Sequence, residues 1–251
     1  MQKNQGMSKE NHTIFNLDGT KIKDLGKQER YLLRCIYGEL EDEEMVRCET
    51  IDNGYKPDFY IIYKGIKKYV SFKTGHTTTI HQEYLSTFVD YLKEEGISDE
   101  SISAFLLFFY RDGTDDGSGK VKMLIKEIVE KHPGKAKRLN IELNYSKDFI
   151  KRFIERVLFV GREKTNPSAD YICYWQENDK PIVVNKKQIM AHISRKEWDY
   201  MDNPHIGPVQ FRPHILYKKG NEFRDKYAGR IDFWWSNFSD DLDYIERFYM
   251  Q

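Results

Sequence analysis

Residues 56–83 read KPDFYIIYKGIKKYVSFKTGHTTTIHQE, and this stretch decides the fold that we predict for the chain. Two runs rich in aromatic and β-branched residues lie on either side of the dipeptide Lys64-Gly65. Runs of this composition around a two-residue turn that contains glycine predict a β-hairpin. A turn centred on this dipeptide fixes the register of the two strands, and it places Asp58 directly opposite Ser71.

The two faces of this hairpin differ in composition. Because side chains alternate along a strand, Lys73 shares a face with Asp58 and Ser71 at one end of the hairpin. Directly opposed Cβ atoms are only about 4.5–5.5 Å apart, which brings an acid, a hydroxyl and an amine together. The other face is apolar and is predicted to be core, and it consists of Phe59, Ile61, Tyr63, Ile66, Val70 and Phe72.

After the hairpin the sequence predicts a helix. Thr79, followed three residues later by Gln82, forms a capping box at its start. An apolar stripe with helical spacing follows, formed by Ile80, Tyr84, Leu85, Phe88, Val89 and Leu92. Glu83 falls in the first turn of this predicted helix. We expect its carboxylate to point towards the strand end that carries Asp58 and Lys73.

This arrangement resembles the PD-(D/E)XK nuclease superfamily. The signature of that family is an acid at the start of one strand, followed by an acid-x-Lys sequence on the next strand. Here the corresponding residues are Pro57-Asp58 and Ser71-Phe72-Lys73. The serine departs from the family pattern, because it stands where the family usually has Asp or Glu and it supplies no charged metal ligand. The match covers roughly the first half of the chain.

A subset of type II restriction endonucleases carries a serine at this position and has its glutamate on the following helix, and Glu83 resembles that migrated residue. The resemblance implies an α+β fold with a restriction-endonuclease-like central mixed sheet flanked by helices. It also implies a Mg²⁺-dependent DNA endonuclease in which Mn²⁺ can substitute. Asp58 and Glu83 would be the metal ligands, Lys73 would orient or activate the water, and Ser71 would at most hold a water or a ligand in place.

The family often places a further acid on the helix that precedes the hairpin. Apolar side chains recur with helical spacing between about residues 23 and 45, and Glu29 lies near the start of that segment. The resemblance makes Glu29 the candidate for this catalytic position. The alternative is that its side chain belongs to a solvated helix face.

Composition bounds the class of protein. Forty basic and forty acidic residues cancel, so any surface that binds nucleic acid must be local. With 251 residues, of which 39% are hydrophobic, the chain can bury a sizeable core. Three widely spaced cysteines fit a reduced, cytoplasmic protein better than a disulfide framework. No apolar run approaches the ~18 residues of a membrane span, so we expect no membrane association.

The sequence predicts three segments. Residues 1–20 are polar and are expected to be a flexible tail. Residues 21–144 would form the nuclease-like catalytic core. In this core, residues 98–110 favour a helix, although their apolar second half is also compatible with a buried strand. Residues 145–251 are rich in strand-forming stretches and are expected to complete the fold as a β-rich part that contacts DNA.

Candidate DNA-binding residues lie mainly in this C-terminal part. Gln210, Arg212 and Arg230 occur on strand-forming segments, and Gln and Arg are the side chains that read adenine and guanine edges in the major groove. His76, in the loop after the hairpin, is a further candidate for a phosphate contact. The alternative is that these residues form polar strand faces that are exposed to solvent. Trp234 and Trp235 are predicted to be core and interface anchors instead of base-stacking platforms.

Under the nuclease interpretation the partner is double-stranded DNA, and the chain is expected to form a homodimer or a higher homo-oligomer. Two other functions are compatible with the sequence. One is a catalytically inactive nucleic-acid-binding protein on the same fold, which Ser71 favours. The other is an unrelated hydrolase or RNA-processing protein in which Asp58 and Lys73 form an ordinary cross-strand ion pair.

Overall fold

A computed structural model gives the structure of the chain, which has an α+β fold as the sequence predicted. The residues that it describes are 5–51, 54–74, 79–161, 167–176, 180–198, 203–214 and 229–249. The chain forms two compact units, and each consists of segments that are separate in sequence. Unit 1 comprises Met1–Thr78, Ile154–His192 and Asn237–Gln251, whereas unit 2 comprises Thr79–Phe153 and Ile193–Ser236. This division differs from the three consecutive segments that the sequence predicted.

The secondary structure follows in chain order. The helices are α1 (Gln5–Leu17), α2 (Lys27–Tyr37), α3 (Leu85–Glu94), α4 (Asp99–Tyr110), α5 (Ile125–Lys131), α6 (Pro133–Asn144), α7 (Lys147–Glu155), α8 (Lys186–Arg195) and α9 (Phe238–Tyr249). A 3₁₀ turn (Ile22–Asp24) precedes α2, and a π-helical turn (Arg156–Val160) follows α7. The strands are β1 (Arg47–Thr50), β2 (Phe59–Tyr63), β3 (Ile66–Lys73), β4 (Thr79–Tyr84), β5 (Tyr171–Tyr174), β6 (Ile182–Asn185), β7 (His205–Ile206), β8 (Val209–Pro213) and β9 (Arg230–Trp235). Within the described ranges, no helix combines the length and the apolar composition that crossing a membrane requires.

Unit 1 is built on a five-stranded mixed sheet of order β1-β2-β3-β5-β6. Strands β3 and β5 are parallel, and the other neighbouring pairs are antiparallel. The β2–β3 hairpin pairs Phe59 with Val70, which confirms the predicted register. Its turn residues Lys64 and Gly65 have φ values of 49° and 74°. Positive φ at both central residues gives a turn whose twist matches that of the strands, and glycine adopts it without steric cost.

Helices cover this sheet, with α1 near β1 and both α2 and α9 near β6. The core face of the hairpin is buried as predicted at every position except Ile66, which is 54% exposed. The prediction that Ile66 is core was wrong, because this residue directly follows the turn, at the end of the hairpin where the exposed Lys64 and Gly65 also lie.

Helix α1 occupies residues that the sequence predicted to be a flexible tail. Its inward side buries Thr13 and Leu17. The amine of Lys9 donates a hydrogen bond of 2.7 Å to the carbonyl of Gln176 and lies 4.9 Å from the ring centroid of Trp175. Both contacts fix the N-terminal half of the helix beside the residues that follow β5.

Unit 2 contains a second sheet, of order β4-β9-β8-β7, in which all neighbouring strands are antiparallel. Thr79–Tyr84 is therefore a strand, and the following helix begins at Leu85 with Tyr84 as its N-cap. The prediction that a helix begins at Thr79 was wrong. Thr79 and Ile80 are β-branched residues that also suit a strand, and pairing with β9 satisfies the backbone groups of the segment.

The core of unit 2 is aromatic. Its rings pack at centroid distances between 5.0 and 6.1 Å, and they belong to Phe88, Phe105, Phe153, Phe211 and Phe233. Phe105 lies on α4, so the predicted helix over residues 98–110 is confirmed. The hydroxyl of Ser98 caps that helix by accepting a hydrogen bond from the backbone N–H of Ser101.

Candidate functional site

The candidate active site of unit 1 begins with Asp58, which directly precedes β2. Its Oδ2 atom accepts a hydrogen bond of 2.5 Å from the backbone N–H of Phe72 and one of 3.3 Å from the hydroxyl of Ser71. Its own backbone N–H donates to the carbonyl of Val70 at 2.9 Å. These bonds fix the carboxylate at the end of the hairpin, where its side chain is still partly exposed. The predicted proximity of Asp58 and Ser71 is therefore observed.

Lys73 is the last residue of β3. It pairs with Tyr174 of the parallel strand β5, and its carbonyl accepts a hydrogen bond of 2.9 Å from the backbone N–H of Trp175. Because side chains alternate, its amine leaves the strand on the same face as the side chain of Ser71. The side chain of Lys73 is only half-buried, whereas that of Ser71 is fully buried. The charged groups of Asp58 and Lys73 therefore lie at the open end of the hairpin.

A third charged residue, Glu10, belongs to this site. Its carboxyl is partly buried on α1, and burial raises the pKa of Glu10 above its usual value. The negative charge of Asp58 raises this pKa further, and the positive charge of Lys73 lowers it. Both charges act on the carboxyl of Glu10, so the three groups lie within electrostatic range of one another. Sequence reasoning missed this residue, because the segment was taken for a tail. The available signal was Glu10, Thr13 and Leu17 at helical spacing.

Glu29, the acid that the family resemblance pointed to, lies elsewhere in unit 1. It is in the first turn of α2, and its Oε1 atom accepts a hydrogen bond of 3.0 Å from the side chain of Asn16. It lines an open cavity of about 870 Å³ together with Asp18 and Asp24. Its catalytic role stays a prediction, and Glu10 on the preceding helix is the acid on which Asp58 and Lys73 act.

Glu83 belongs to unit 2 and lies on β4, opposite Ile231 of β9. Its side chain is fully buried, and its Oε2 atom is 3.9 Å from the Nε2 atom of His81. The prediction that Glu83 occupies the first turn of a helix was wrong, because that turn is part of a strand. Its role as a metal ligand stays a prediction.

The candidate metal-binding side chains of unit 1 can be compared with the ligands that a metal ion requires. Among the residues that the structure describes, no group of three or more His, Cys, Asp and Glu side chains is arranged to hold a metal ion. Mg²⁺, however, is usually bound by one or two carboxylates, with waters and substrate phosphates supplying the remaining oxygens. Asp58 and Glu10 provide two carboxylates of this kind. The residues therefore fit Mg²⁺ bound together with a phosphate substrate, and they do not form an all-protein metal cage.

The second candidate surface is one face of the sheet in unit 2, which we call the polar face. Residues opposite each other in β4, β9 and β8 share a face, so the pairing of the strands places nine side chains in three rows. The rows are Tyr84–Arg230–His214, Gln82–Asp232–Arg212 and Thr79–Trp234–Gln210.

Asp232 lies at the centre of the polar face and is buried. It accepts a hydrogen bond of 2.8 Å from the side-chain amide of Gln82 and contacts the Nδ1 atom of His214 at 3.0 Å. The Nε atom of Arg212 lies 3.6 Å from its other oxygen. The side-chain oxygen of Gln82 in turn accepts a hydrogen bond of 3.0 Å from Arg230. One carboxylate thus orients the cationic side chains of the face.

Three of the predicted DNA-binding residues, Gln210, Arg212 and Arg230, lie together on the polar face, whereas His76 lies outside the described residues. Sequence reasoning missed Gln82, which it assigned to a capping box. It also treated both tryptophans as anchors. Trp235 is buried in the core, but Trp234 is only partly buried and lies on the polar face.

Comparison with known proteins assigns no relationship to the chain: no protein-family model matches it, and no curated protein matches it.

Proposed function

We propose that this protein is a Mg²⁺-dependent endonuclease that hydrolyses phosphodiester bonds of DNA, similar to type II restriction endonucleases, with its active site in unit 1. The observation that carries the proposal is the group formed by Asp58, Lys73 and Glu10. Asp58 and Lys73 lie at the end of a hairpin, the carboxyl of Glu10 lies within electrostatic range of both, and the aspartate is held by the backbone N–H of Phe72 and the hydroxyl of Ser71.

The chemistry of this group suits phosphodiester hydrolysis. Asp58 and Glu10 would hold Mg²⁺, or Mn²⁺ in its place, and the ion would offset charge on the phosphate and lower the pKa of the attacking water. The amine of Lys73 would donate hydrogen bonds to that water or to a phosphate oxygen, and its positive charge would offset the developing negative charge. Ser71 and the N–H of Phe72 would keep the carboxylate of Asp58 in one orientation.

The raised pKa of Glu10 is compatible with this role. Burial makes the carboxyl of Glu10 resist ionisation, and the negative charge of Asp58 adds to this resistance while no metal ion is bound. A bound divalent cation would reverse that preference, since it attracts both carboxylates. Glu10 would therefore ionise together with the arrival of the metal and its phosphate substrate.

The proposal can be tested by incubating plasmid DNA with the full chain and Mg²⁺. The parent protein should cut the plasmid, and Asp58→Asn, Lys73→Ala and Glu10→Gln should each lose roughly 10²–10⁴ in rate. Mn²⁺ should partly restore Glu10→Gln, but it should not restore Lys73→Ala, because no metal replaces the amine. Circular dichroism of every variant would show that the loss does not come from unfolding.

Two other glutamates serve as comparisons for Glu10. Glu29→Gln removes the same charge from the next helix of unit 1 and tests the catalytic position that the family resemblance gave to Glu29. Glu83→Gln tests the ligand that the family resemblance pointed to. If Glu83→Gln remains folded and loses cleavage while Glu10→Gln keeps it, Glu83 is the ligand and the assignment of Glu10 is wrong.

A catalytically inactive nucleic-acid-binding protein is the second candidate. One observation favours it: Ser71 stands where the family usually has an acid. A parent protein that binds DNA but cuts no DNA with either ion would establish this alternative and refute the nuclease. Cleavage of RNA in place of DNA would instead favour the RNA-processing interpretation. Assembly into a homodimer or higher homo-oligomer stays a prediction that light scattering can test.

A further inference from the structure

We infer that the polar face of unit 2 binds an unpaired stretch of DNA strand. The nine side chains of this face include two arginines, two aromatic rings and two amides, arranged around Asp232. Arginine, aromatic and amide groups are those that bind phosphates, stack on bases and read base edges. The inference rests on the proposed function only in naming DNA as the nucleic acid.

The width of the face argues against the grooves of a duplex. The polar face extends over three neighbouring strands, β4, β9 and β8, and β7 continues the same sheet. The major groove, about 12 Å wide, admits one helix or a two-stranded ribbon, and the minor groove is about half as wide. A face of three strands is too broad for either groove of undistorted B-form DNA. It can instead contact bases that are not paired, as other single-strand-binding sheets do.

Stacking surfaces are already formed on this face. The guanidinium of Arg212 lies 5.5 Å from the ring centroid of Trp234, and that of Arg230 lies 4.9 Å from the ring centroid of Tyr84. The side chain of Arg212 is 46% exposed, and Tyr84 is 43% exposed. Bases stack on both aromatic rings and guanidinium planes. Each arginine–aromatic pair therefore offers a planar surface to an unpaired base.

The charges of the face suit a phosphate backbone. Arg212 and Arg230 are diagonal neighbours on adjacent strands, so their Cβ atoms are about 7–8 Å apart. Asp232 balances one of these charges and also holds its neighbours in place, which leaves the face cationic. Arg212 also donates a hydrogen bond of 2.9 Å to the hydroxyl of Thr79. Because these side chains are already ordered, binding loses little of their conformational entropy.

The test uses the full chain carrying Lys73→Ala, in buffer with EDTA, so that cleavage does not contribute to the measurement. Fluorescence anisotropy would compare a labelled single-stranded oligonucleotide with the duplex of the same sequence. The single strand should bind at least ~10-fold more tightly, given that duplex grooves do not fit the face. Adding Trp234→Ala or Arg212→Ala should weaken single-strand binding by ~5- to 150-fold, the range expected for loss of one stacking contact.

Arg138→Ala provides the matched control. Arg138 is an exposed arginine of unit 2 that pairs with Glu100 on the helical side of the unit, so its removal should leave single-strand affinity unchanged. Trp234→Phe keeps an aromatic ring and should retain most of the affinity. This variant also keeps the inference testable if Trp234→Ala fails to fold.

Three results would overturn the inference: duplex binding as tight as single-strand binding, tighter binding of RNA than of DNA, or unchanged affinity in both Trp234→Ala and Arg212→Ala. The readout is independent of catalysis. A parent protein without nuclease activity would refute the proposed function and leave this measurement intact, whereas an active nuclease whose polar-face variants bind normally would refute only the inference.

Discussion

The sheets of the two units differ in how many of their faces are buried. In unit 1 the consecutive residues Val70, Ser71 and Phe72 of β3 are all buried, and so are the consecutive residues 172–174 of β5. In unit 2 the polar face is only partly covered: its central Asp232 is buried, but Trp234 is partly exposed and both Arg212 and Tyr84 are exposed. Parallel pairs such as β3 and β5 are typically covered on both sides, whereas antiparallel sheets can leave one face to water.

This difference determines where each unit can carry polar side chains. Where the sheet of unit 1 is covered on both faces, as at residues 70–72 of β3, the charged groups Asp58 and Lys73 lie at the strand ends. A sheet with one open face can carry a whole array of them, as unit 2 does around Asp232. A few groups at strand ends suit a single chemical step, whereas an array over several strands suits recognition of an extended ligand.

Substitutions at adjacent positions should reveal this contrast, and they have the largest effects that we expect. Phe233→Ala removes a ring that packs against the other phenylalanines of unit 2, and it should lower the free energy of unfolding by about 3–5 kcal/mol. Trp234→Ala, on the polar face, should cost less than half as much. Chemical denaturation followed by circular dichroism would measure both values.

In unit 1 the corresponding experiment uses one substitution at two neighbouring positions. Val183 and Val184 of β6 are both buried, on opposite faces of the sheet. Val183→Ala and Val184→Ala should therefore each cost roughly 1–3 kcal/mol, close to the value of burying a valine side chain. If one of the two were almost neutral, or if Trp234→Ala cost as much as Phe233→Ala, the contrast between the sheets would be wrong.

The hairpin could be predicted from sequence because its determinants are local. The turn at Lys64-Gly65 sets the register, and period-two alternation separates the core residues from Asp58 and Lys73. Strand β4 could not be predicted in this way, because its pairing partner β9 lies about 150 residues further along the chain. Without that partner, the capping box formed by Thr79 and Gln82 is the stronger local signal. In the folded protein the pairing of β4 with β9 nevertheless makes this segment a strand.

The candidate site was predictable only in part for the same reason. Asp58 and Lys73 lie on one hairpin, so alternation alone brings them together. Glu10 joins them through the packing of α1, which depends on contacts such as that of Lys9 with the carbonyl of Gln176. No local pattern encodes a contact across so many residues. The row that joins Gln82 to Asp232 likewise exists only once β4 and β9 pair.

A smaller effect should appear in the pH dependence of stability. It would test whether the carboxyl of Glu10 is partly buried near the strand ends. Burial raises the folded-state pKa of Glu10 above its unfolded value, so folding favours the protonated carboxyl. The resulting stability is fully present below the unfolded pKa and is lost as the pH rises through the folded pKa. Glu10→Gln mimics the protonated form and avoids this loss.

In EDTA at pH 7.5, the Glu10→Gln variant should therefore have a higher free energy of unfolding than the parent. At pH 4 the free energies of unfolding of the two proteins should converge. Chemical denaturation at both pH values would measure the difference. A Glu10→Gln variant that is less stable than the parent at pH 7.5 would contradict the placement of Glu10 beside Asp58.

The smallest effect concerns Ser71, which lies within β3, where the sheet is covered on both faces. Its hydroxyl donates the longer of the two hydrogen bonds to Asp58, at 3.3 Å, while the N–H of Phe72 donates one of 2.5 Å that any residue at position 71 leaves in place. Longer hydrogen bonds are weaker, so the backbone bond should suffice to hold the carboxylate. Ser71→Ala should thus reduce Mg²⁺-dependent plasmid cleavage by less than ~10-fold, which corresponds to about 1.4 kcal/mol. Lys73→Ala, two residues along the same face and at the strand end, should lose far more, and it is the reference for the assay. If Ser71→Ala were as inactive as Lys73→Ala while remaining folded, the hydroxyl would take part in the reaction directly, and function in unit 1 would extend from the strand ends into the covered sheet.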